Sequence, residues 1–209
     1  MPPLSRTERA ALCDTALSVG EDQPTLCGDW TVKDLVVHLL VREGSPAAVG
    51  IWLSPLAGLT EFVSRLTARA DFDALVERLR NGPPRLSIYS APRFEAVLNS
   101  LEFFVHHEDI RRAQPEWEPR ALPESTEDTL WKATTVMGKR LVADSEVGVD
   151  IEDSRTGDHR VLKTGTGVVI RGLPSEVTMF VYGRKSHAQV ILDGDPDAVA
   201  QVYRANFSL

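Results

Sequence analysis

The sequence has few cysteines and lacks both dense basic runs and long apolar runs. Cys13 and Cys27 are the only cysteines and have no CxxC spacing, so nothing indicates a disulfide framework or a thiolate metal site, and a reducing compartment is expected. No stretch approaches the roughly 20 apolar residues of a membrane-spanning helix. Residues 1–8 are polar and lack the apolar core of a signal peptide. We therefore predict a cytoplasmic protein that does not associate with membranes.

The charge balance is acidic, with 23 basic and 30 acidic residues and a net charge of −7. Without a basic cluster, nucleic acids and anionic membranes are not expected as main partners. The length of 209 residues allows one large or two small domains with a sizeable core. We expect a monomer or a homodimer that acts on small molecules.

The first part of the chain has helical periodicity. Ser5 with Glu8, and Thr31 with Asp34, have the spacing of N-terminal capping boxes. Residues 44–60 are rich in Gly, Pro and Ala and predict a long connection. The third helix is expected to break near Asp71 and the fourth to stop before Pro115. The predicted helices span about 5–18, 31–43, 60–80, 92–113 and 124–143.

The periodicity changes near residue 145, where apolar residues begin to alternate with polar ones as they do in strands. The predicted order is β-β-β-α-β-α, with strands at about 147–151, 159–163, 167–171 and 188–192 and helices at 174–181 and 196–204. The predicted fold class is therefore α+β with two domains, a helical bundle at 1–144 and a small α/β domain at 145–209.

Glu102 and His106 are four residues apart on a predicted helix and therefore lie on one face. Phe94 and Leu98 share that face, so the pair interrupts an apolar stripe. A carboxylate and an imidazole on a buried face are costly unless they are paired or bound to an ion, and both are zinc-type ligands. His38, on another amphipathic helix, offers a third ligand. The sequence thus predicts a metal held by His38, Glu102 and His106.

Each of these histidines has competing interpretations. A Glu and a His at i and i+4 often form only an exposed pair, but Phe103 and its apolar neighbours indicate a helix buried on more than one side. His107 is rotated by about 100° from His106 and is expected to pack between helices or to be partly exposed. His159 and His187 have no acidic partner at ligand spacing and are expected on the surface or in strands, although His187 could face an inter-domain cleft.

Four further residues allow both a functional and a structural interpretation. Asp34 could accept the free N–H of His38, although a role in the helix cap is favoured. Arg42 could hold an anionic ligand near the metal, or it could be a solvated residue at the helix end. Arg184 could clamp a carboxylate from the second domain, or lie on the surface after a turn. Cys27 has no base adjacent in sequence, so a small buried residue is favoured over a nucleophile.

Several motifs resemble the mycothiol-dependent maleylpyruvate isomerase-like family. The segment Pro24–His38 carries Pro-Thr, Trp-Thr-Val and Asp-Leu ahead of a histidine, as does the motif that opens this family. Glu102–His106, followed by His107–Arg111, resembles its second metal motif. Gly172–Pro174 and Tyr182–Arg184 resemble its sterol-carrier-like second domain. The resemblance covers nearly the whole chain.

This resemblance implies a DinB-like up-down helical bundle with His38, Glu102 and His106 as ligands of zinc or another divalent metal. It also implies an actinobacterial setting and mycothiol, a low-molecular-weight thiol, as cosubstrate. It does not carry over maleylpyruvate as the substrate. The expected function is that of a metal-dependent transferase or isomerase, in which a metal-bound thiolate attacks a small electrophile. Arg42 and Arg184 are then expected to position an anion or the substrate.

Two other functions stay open on the sequence alone. A metal-dependent hydrolase would use bound water instead of a thiol and would turn over without one. A non-catalytic module would bind a metal or ligand tightly without turnover. A purely structural zinc is disfavoured, because such sites usually have four protein ligands rich in cysteine.

Overall fold

The computed structural model describes residues 3–44, 67–83 and 99–207. Its contacts divide the chain into two compact units, Met1–Glu118 and Pro119–Leu209. The predicted boundary at residue 145 is later than this division. The difference arises from the helix at 124–141, which packs on the sheet of the second unit. Periodicity identified this helix but carried no information about the layer that its apolar face covers.

The regular elements of the first unit are all helices in its described part. They are α1 (Leu4–Val19), α2 (Val32–Gly44), α3 (Phe72–Arg80) and α4 (Ser100–Arg112). Helix α1 packs against α4 and α3, and α2 packs against α3. The predicted helix positions are confirmed where the structure describes them, while residues 44–60 and the residues Phe94 and Leu98 fall largely or wholly outside the described residues.

One of the two predicted capping boxes forms. Asp34 accepts hydrogen bonds from the backbone N–H and the hydroxyl of Thr31, and its own N–H donates to Thr31 Oγ1. The prediction for Ser5 is wrong, because α1 begins at Leu4 after Pro3 and has no side-chain cap. Ser5 lies inside the first turn, where its buried hydroxyl has no hydrogen-bond partner among the residues that the structure describes. The expected break near Asp71 is present, and the Asp71 carboxylate caps α3.

The second unit combines a four-stranded sheet with three helices in its described residues. The elements are α5 (Glu124–Leu141), β1 (Gly148–Asp153), β2 (His159–Lys163), β3 (Gly167–Gly172), α6 (Pro174–Val181), β4 (Ile191–Gly194) and α7 (Pro196–Arg204). The strands lie in the order β2-β1-β3-β4. β1 and β3 run parallel, and the two outer pairings are antiparallel. A 3₁₀ turn at Lys185–His187 precedes β4.

The predicted order of strands and helices is confirmed, and only β4 is displaced, by about three residues at its start. Two glycines allow the parallel pairing of β1 with β3. Gly148 and Gly167 are register partners, and a Cβ at position 167 would lie 1.8 Å from the carbonyl oxygen of Gly148. The core of this unit is an apolar cluster that includes Ile151, Ile170 and Phe180.

Every helix in the described residues is too short or too polar to cross a membrane.

Candidate metal centre

The first unit brings together the three side chains that the sequence singled out as metal ligands. His38 on α2 has its Nε2 atom 3.6 Å from Oε1 of Glu102 on α4. His106, one turn further along α4, has its Nε2 atom 3.3 Å from the same oxygen. All three donor atoms lie within 4.8 Å of one another. The side chains are 12–23% exposed, so the group is recessed but reachable from solvent.

Apolar packing on both helices holds this group in place. Val37, Leu39 and Leu40 flank His38, and Phe103 and Val105 separate the two polar residues of α4; all five are buried. The expectation that α4 is buried on more than one side is confirmed. The polar group therefore lies in a largely apolar surrounding, where an uncompensated charge would be unfavourable.

The electrostatics of Glu102 and His38 follow from this surrounding. Burial would raise the pKa of Glu102, but the Arg42 guanidinium and hydrogen bonds from the imidazoles outweigh it and hold the pKa well below its ordinary value. Burial lowers the pKa of His38, although the Glu102 carboxylate opposes this. At neutral pH the site thus has an ionised carboxylate beside a neutral imidazole, which are the ligand forms that a metal requires.

His106 has acidic groups at both ring nitrogens. Its Nδ1 atom lies 2.9 Å from Oδ2 of Asp109, which is fully buried. Burial alone would lower the pKa of His106, but hydrogen bonds, first to Asp109 and then to Cys27, outweigh it and raise the pKa well above its ordinary value. Without a metal, His106 is an imidazolium between the Asp109 and Glu102 carboxylates. A metal at Nε2 would displace a proton.

The two groups of possible metal ligands differ in the spacing of their donor atoms. In a tetrahedral zinc site with bonds of about 2.0–2.1 Å, neighbouring nitrogen and oxygen ligands lie about 3.3 Å apart. The spacings of 3.3 and 3.6 Å around Glu102 Oε1 fit that geometry. A second group, formed by Cys27, His106 and Asp109, has spacings of 2.9 and 3.1 Å to the Asp109 carboxylate, which are those of hydrogen bonds. The first group is therefore the candidate for metal binding, and the second is a hydrogen-bonded group that shares His106 with it.

Arg42 and Trp30 complete the surroundings of the three candidate ligands. Arg42 is buried; its Nε atom is 3.2 Å from Glu102 Oε1, and it donates to Asn99 through Nη1. It thus contacts the site instead of forming a solvated helix end. The indole of Trp30, 39% exposed, packs against the His38 ring with centroids 5.0 Å apart. A cation and an exposed aromatic side chain therefore adjoin the candidate metal position.

The remaining candidates have structural roles or lie elsewhere. Asp34 caps α2. His107 is buried between helices, with Nδ1 at 2.8 Å from Glu8 and Nε2 at 2.9 Å from Thr15. His159 pairs with Asp150 on the sheet and is partly exposed. In the second unit, His187 ends the 3₁₀ turn and Arg184 donates to the Tyr182 carbonyl oxygen.

Sequence reasoning missed Asp109 and did not connect Cys27 or Trp30 with the site. A signal for Asp109 was present, because residues 102, 106 and 109 are spaced by four and three and share one helix face. No local signal identified Cys27, whose Sγ atom lies 3.1 Å from Asp109 Oδ2 across 82 positions of sequence.

Comparison with known proteins gives a match in structure alone. No family model and no curated protein matches the sequence. Two solved structures of mycothiol-dependent maleylpyruvate isomerase, one of a single-residue mutant, share the fold, with TM-scores of 0.61 and 0.60 and identities of 15% and 16%. Each match covers 91% of this chain and 90% of the other. The chain therefore has the fold of the mycothiol-dependent maleylpyruvate isomerases, as its motifs predict.

Proposed function

We propose that this protein is a metal-dependent enzyme in which a low-molecular-weight thiol attacks a small electrophile, as a transferase or isomerase. His38, Glu102 and His106 hold the metal, for which zinc is the first choice and another divalent ion such as iron the second. The supporting observation is the convergence of these three donors within 4.8 Å of one another, with Glu102 Oε1 at 3.6 and 3.3 Å from the two imidazole nitrogens. Mycothiol is the proposed thiol, because the solved structures that share the fold are of mycothiol-dependent isomerases.

The chain leaves room for a substrate at such a centre. The described residues supply three candidate ligands, fewer than the four of structural zinc sites, and a centre of this kind keeps a further coordination position for water or substrate. When bound, a divalent metal favours the thiolate form of a coordinated thiol, which is the attacking species. The partial exposure of His38 provides access, and the exposed Trp30 indole offers an apolar surface for the ligand.

Two arginines have proposed roles in positioning anions. Arg42 adds positive charge beside Glu102, which favours a thiolate or a carboxylate in the site. Arg184 is proposed for the same role from the second unit, on the strength of its motif. Replacing either arginine with lysine should raise KM for the anionic reactant more than it lowers kcat, because a bidentate contact is lost.

Metal analysis tests the proposal first. Protein purified without chelators should contain about one metal ion per chain, and His38→Ala, Glu102→Gln and His106→Ala should each lose it, since three ligands are the minimum at such sites. His159→Ala is the matched control, because His159 is a partly exposed histidine of the second unit. It should retain the metal. A folded wild-type protein that binds zinc no better than the His38→Ala variant would contradict the proposal.

Thiol dependence separates the proposal from its alternatives. A panel of electrophiles should be converted only when mycothiol and the metal-loaded protein are both present. Turnover of a hydrolysable substrate without any thiol would identify a hydrolase that uses water. Tight thiol or metal binding with no turnover across the panel would favour a non-catalytic binding protein.

A further inference from the structure

We propose that Asp109 and Cys27 are positioning residues of the metal centre, which hold His106 in the tautomer and orientation that metal binding needs. The inference rests on the proposed function, because it assigns these two residues to the same centre. It assigns to the centre a buried carboxylate and a thiol, neither of which is one of the three proposed metal ligands. It also gives Cys27 a role other than that of a nucleophile.

The Asp109 carboxylate is placed to fix the His106 ring. Its side chain is fully buried, and Oδ2 lies 2.9 Å from Nδ1 of His106. An ionised carboxylate can only accept a hydrogen bond, so the hydrogen of this contact is carried by Nδ1. The lone pair of the neutral ring is then on Nε2, the atom that lies 3.3 Å from Glu102 Oε1. A carboxylate behind a ligating histidine also increases the basicity of that ligand.

Cys27 donates to the same carboxylate oxygen from a different part of the chain. Its Sγ atom is 3.1 Å from Asp109 Oδ2 and 3.7 Å from His106 Nδ1. The thiol donor and the imidazole donor therefore converge on one oxygen and restrict its position from two directions. The carboxylate cannot rotate toward either partner without lengthening its bond to the other.

Backbone contacts hold the loop that carries Cys27 against α4. The N–H of Leu26 donates to the carbonyl oxygen of Asp109 at 3.1 Å. The side chain of Gln114 donates to the carbonyl oxygen of Pro24 at 3.1 Å. The Cys27 N–H is satisfied by the Thr25 hydroxyl. Asp109 thus binds this loop through both its main chain and its side chain, and the thiol is aimed at the carboxylate by a fixed backbone.

Zinc affinity measured by competition with a chromophoric chelator tests the inference. Asp109→Ala should weaken zinc binding by about 10–100-fold, the usual effect of losing a partner of a ligating histidine. Asp109→Asn should give a smaller loss, because the amide oxygen still accepts from Nδ1 but carries no charge. Cys27→Ala should weaken binding less than Asp109→Ala does, and Cys27→Ser should restore it because the hydroxyl can donate.

Asp34→Asn is the matched control, because Asp34 precedes His38 by one helical turn but caps the helix at Thr31. Asn keeps a carbonyl oxygen that can accept from the Thr31 N–H and hydroxyl, so the start of α2 should stay in place and zinc affinity should not change. The visible absorption of the cobalt-loaded protein gives a second readout, which should change in the Asp109 variants and stay unchanged in Asp34→Asn. An Asp109→Asn variant that folds, binds zinc like the wild type and has the wild-type cobalt spectrum would overturn the role of Asp109.

The outcome for Cys27 is separate. Cys27→Ala with wild-type zinc affinity would restrict the positioning role to Asp109 and overturn the assignment of Cys27. A wild-type protein that binds no zinc would refute the proposed function instead. In that case the proton on His106 Nδ1, observed by NMR in the metal-free protein, decides whether Asp109 holds the ring. Its protection from exchange should be lost in Asp109→Ala, which removes the acceptor, and persistence of that protection would overturn the inference.

Discussion

The two units bury charged side chains in different ways. In the first unit, buried ionisable side chains of different helices contact one another, as in Arg9 with Glu43 at 2.5 and 2.6 Å and Glu8 with His107 at 2.8 Å. In the second unit, the buried carboxylates accept hydrogen bonds from backbone N–H groups, and Asp153, which accepts from the Arg155 N–H, also pairs with the Arg155 guanidinium in the same turn. Glu127 accepts from the Ser175 N–H and hydroxyl, and Glu176 accepts from the Gln189 N–H.

The two ways of burying charged side chains have different structural consequences. Side-chain pairs between helices fix the helices relative to one another, so a ligand from α2 can meet ligands from α4 at a defined spacing. Backbone-directed carboxylates instead secure the start of a helix or a connection within a unit whose core is apolar. The stability of the first unit should therefore depend more strongly on individual charges. Substitutions in the two units test this comparison.

The largest expected effect is the loss of a buried pair in the first unit. Arg9→Met should reduce the free energy of unfolding by about 3–5 kcal/mol, because it leaves the Glu43 carboxylate buried without its guanidinium partner. Arg171→Met in the second unit is the matched control, since Arg171 pairs with Glu152 at a partly exposed position. It should cost at most about 1 kcal/mol.

Urea unfolding with peptide-resolved hydrogen exchange would measure both changes and locate them. The Arg9→Met effect should appear in α1 and α2, the helices that carry Arg9 and Glu43. Equal effects of the Arg9 and Arg171 substitutions would remove the distinction between the units.

A smaller effect is expected from the carboxylate that caps a helix in the second unit. Glu127→Ala should cost about 1–3 kcal/mol, because it leaves the buried Ser175 N–H without its acceptor. Glu127→Gln tests the pH dependence. Burial raises the pKa of Glu127, against the opposing effect of its hydrogen bonds to Ser175.

The direction of this pH dependence follows from the number of protons that the folded and unfolded states bind. A folded state with a raised carboxyl pKa retains a proton that the unfolded state has released, so this contribution is full below the unfolded pKa of about 4.3 and is lost as pH rises through the folded value. The stability of the wild type relative to Glu127→Gln should therefore fall as pH rises above about 4 in urea titrations. A difference that is constant with pH, or that grows in favour of the wild type, would contradict the assignment.

The sequence predicts the second unit more completely than the site of the first. Its strands and helices are bounded by local signals, such as Pro174 and Pro196 at the first helical turn and Asp195 as a cap. The candidate metal ligands His38 and Glu102 were also predictable, because their burial and helical spacing are local properties. The contact of Cys27 with Asp109 was not, because it depends on how a loop docks on a distant helix. The packing of α5 on the sheet of the second unit was also missed, because it too depends on contacts between residues that are distant in sequence.

A third comparison uses one substitution in both units. Thr15→Val should cost about 1–3 kcal/mol, since it leaves Nε2 of the buried His107 without the Thr15 hydroxyl. Thr134→Val removes a hydroxyl that lies 2.7 Å from Thr178 Oγ1. Thr178 keeps its bond to the Pro174 carbonyl oxygen, so the cost should be about 0.5–1.5 kcal/mol. The urea midpoints of the two variants, compared at a common m-value, would give the order of their effects. A larger loss of stability for Thr134→Val than for Thr15→Val would count against the stabilising role of the polar contacts in the first unit.

The smallest energetic effect, but a clear chemical one, concerns the two cysteines of the first unit. Cys13 has no exposed surface, and burial raises its pKa to about 11. It should therefore resist thiol reagents at pH 8, where its thiolate is scarce. Cys27 lies in the partly exposed loop and should react first. Ellman's reagent should then label one thiol per native chain and two after denaturation, and Cys27→Ser should abolish the native reaction. Labelling of Cys13 in the native Cys27→Ser protein would mean that α1 and α3 separate in solution, because the Cys13 thiol donates to the Val76 carbonyl oxygen between them.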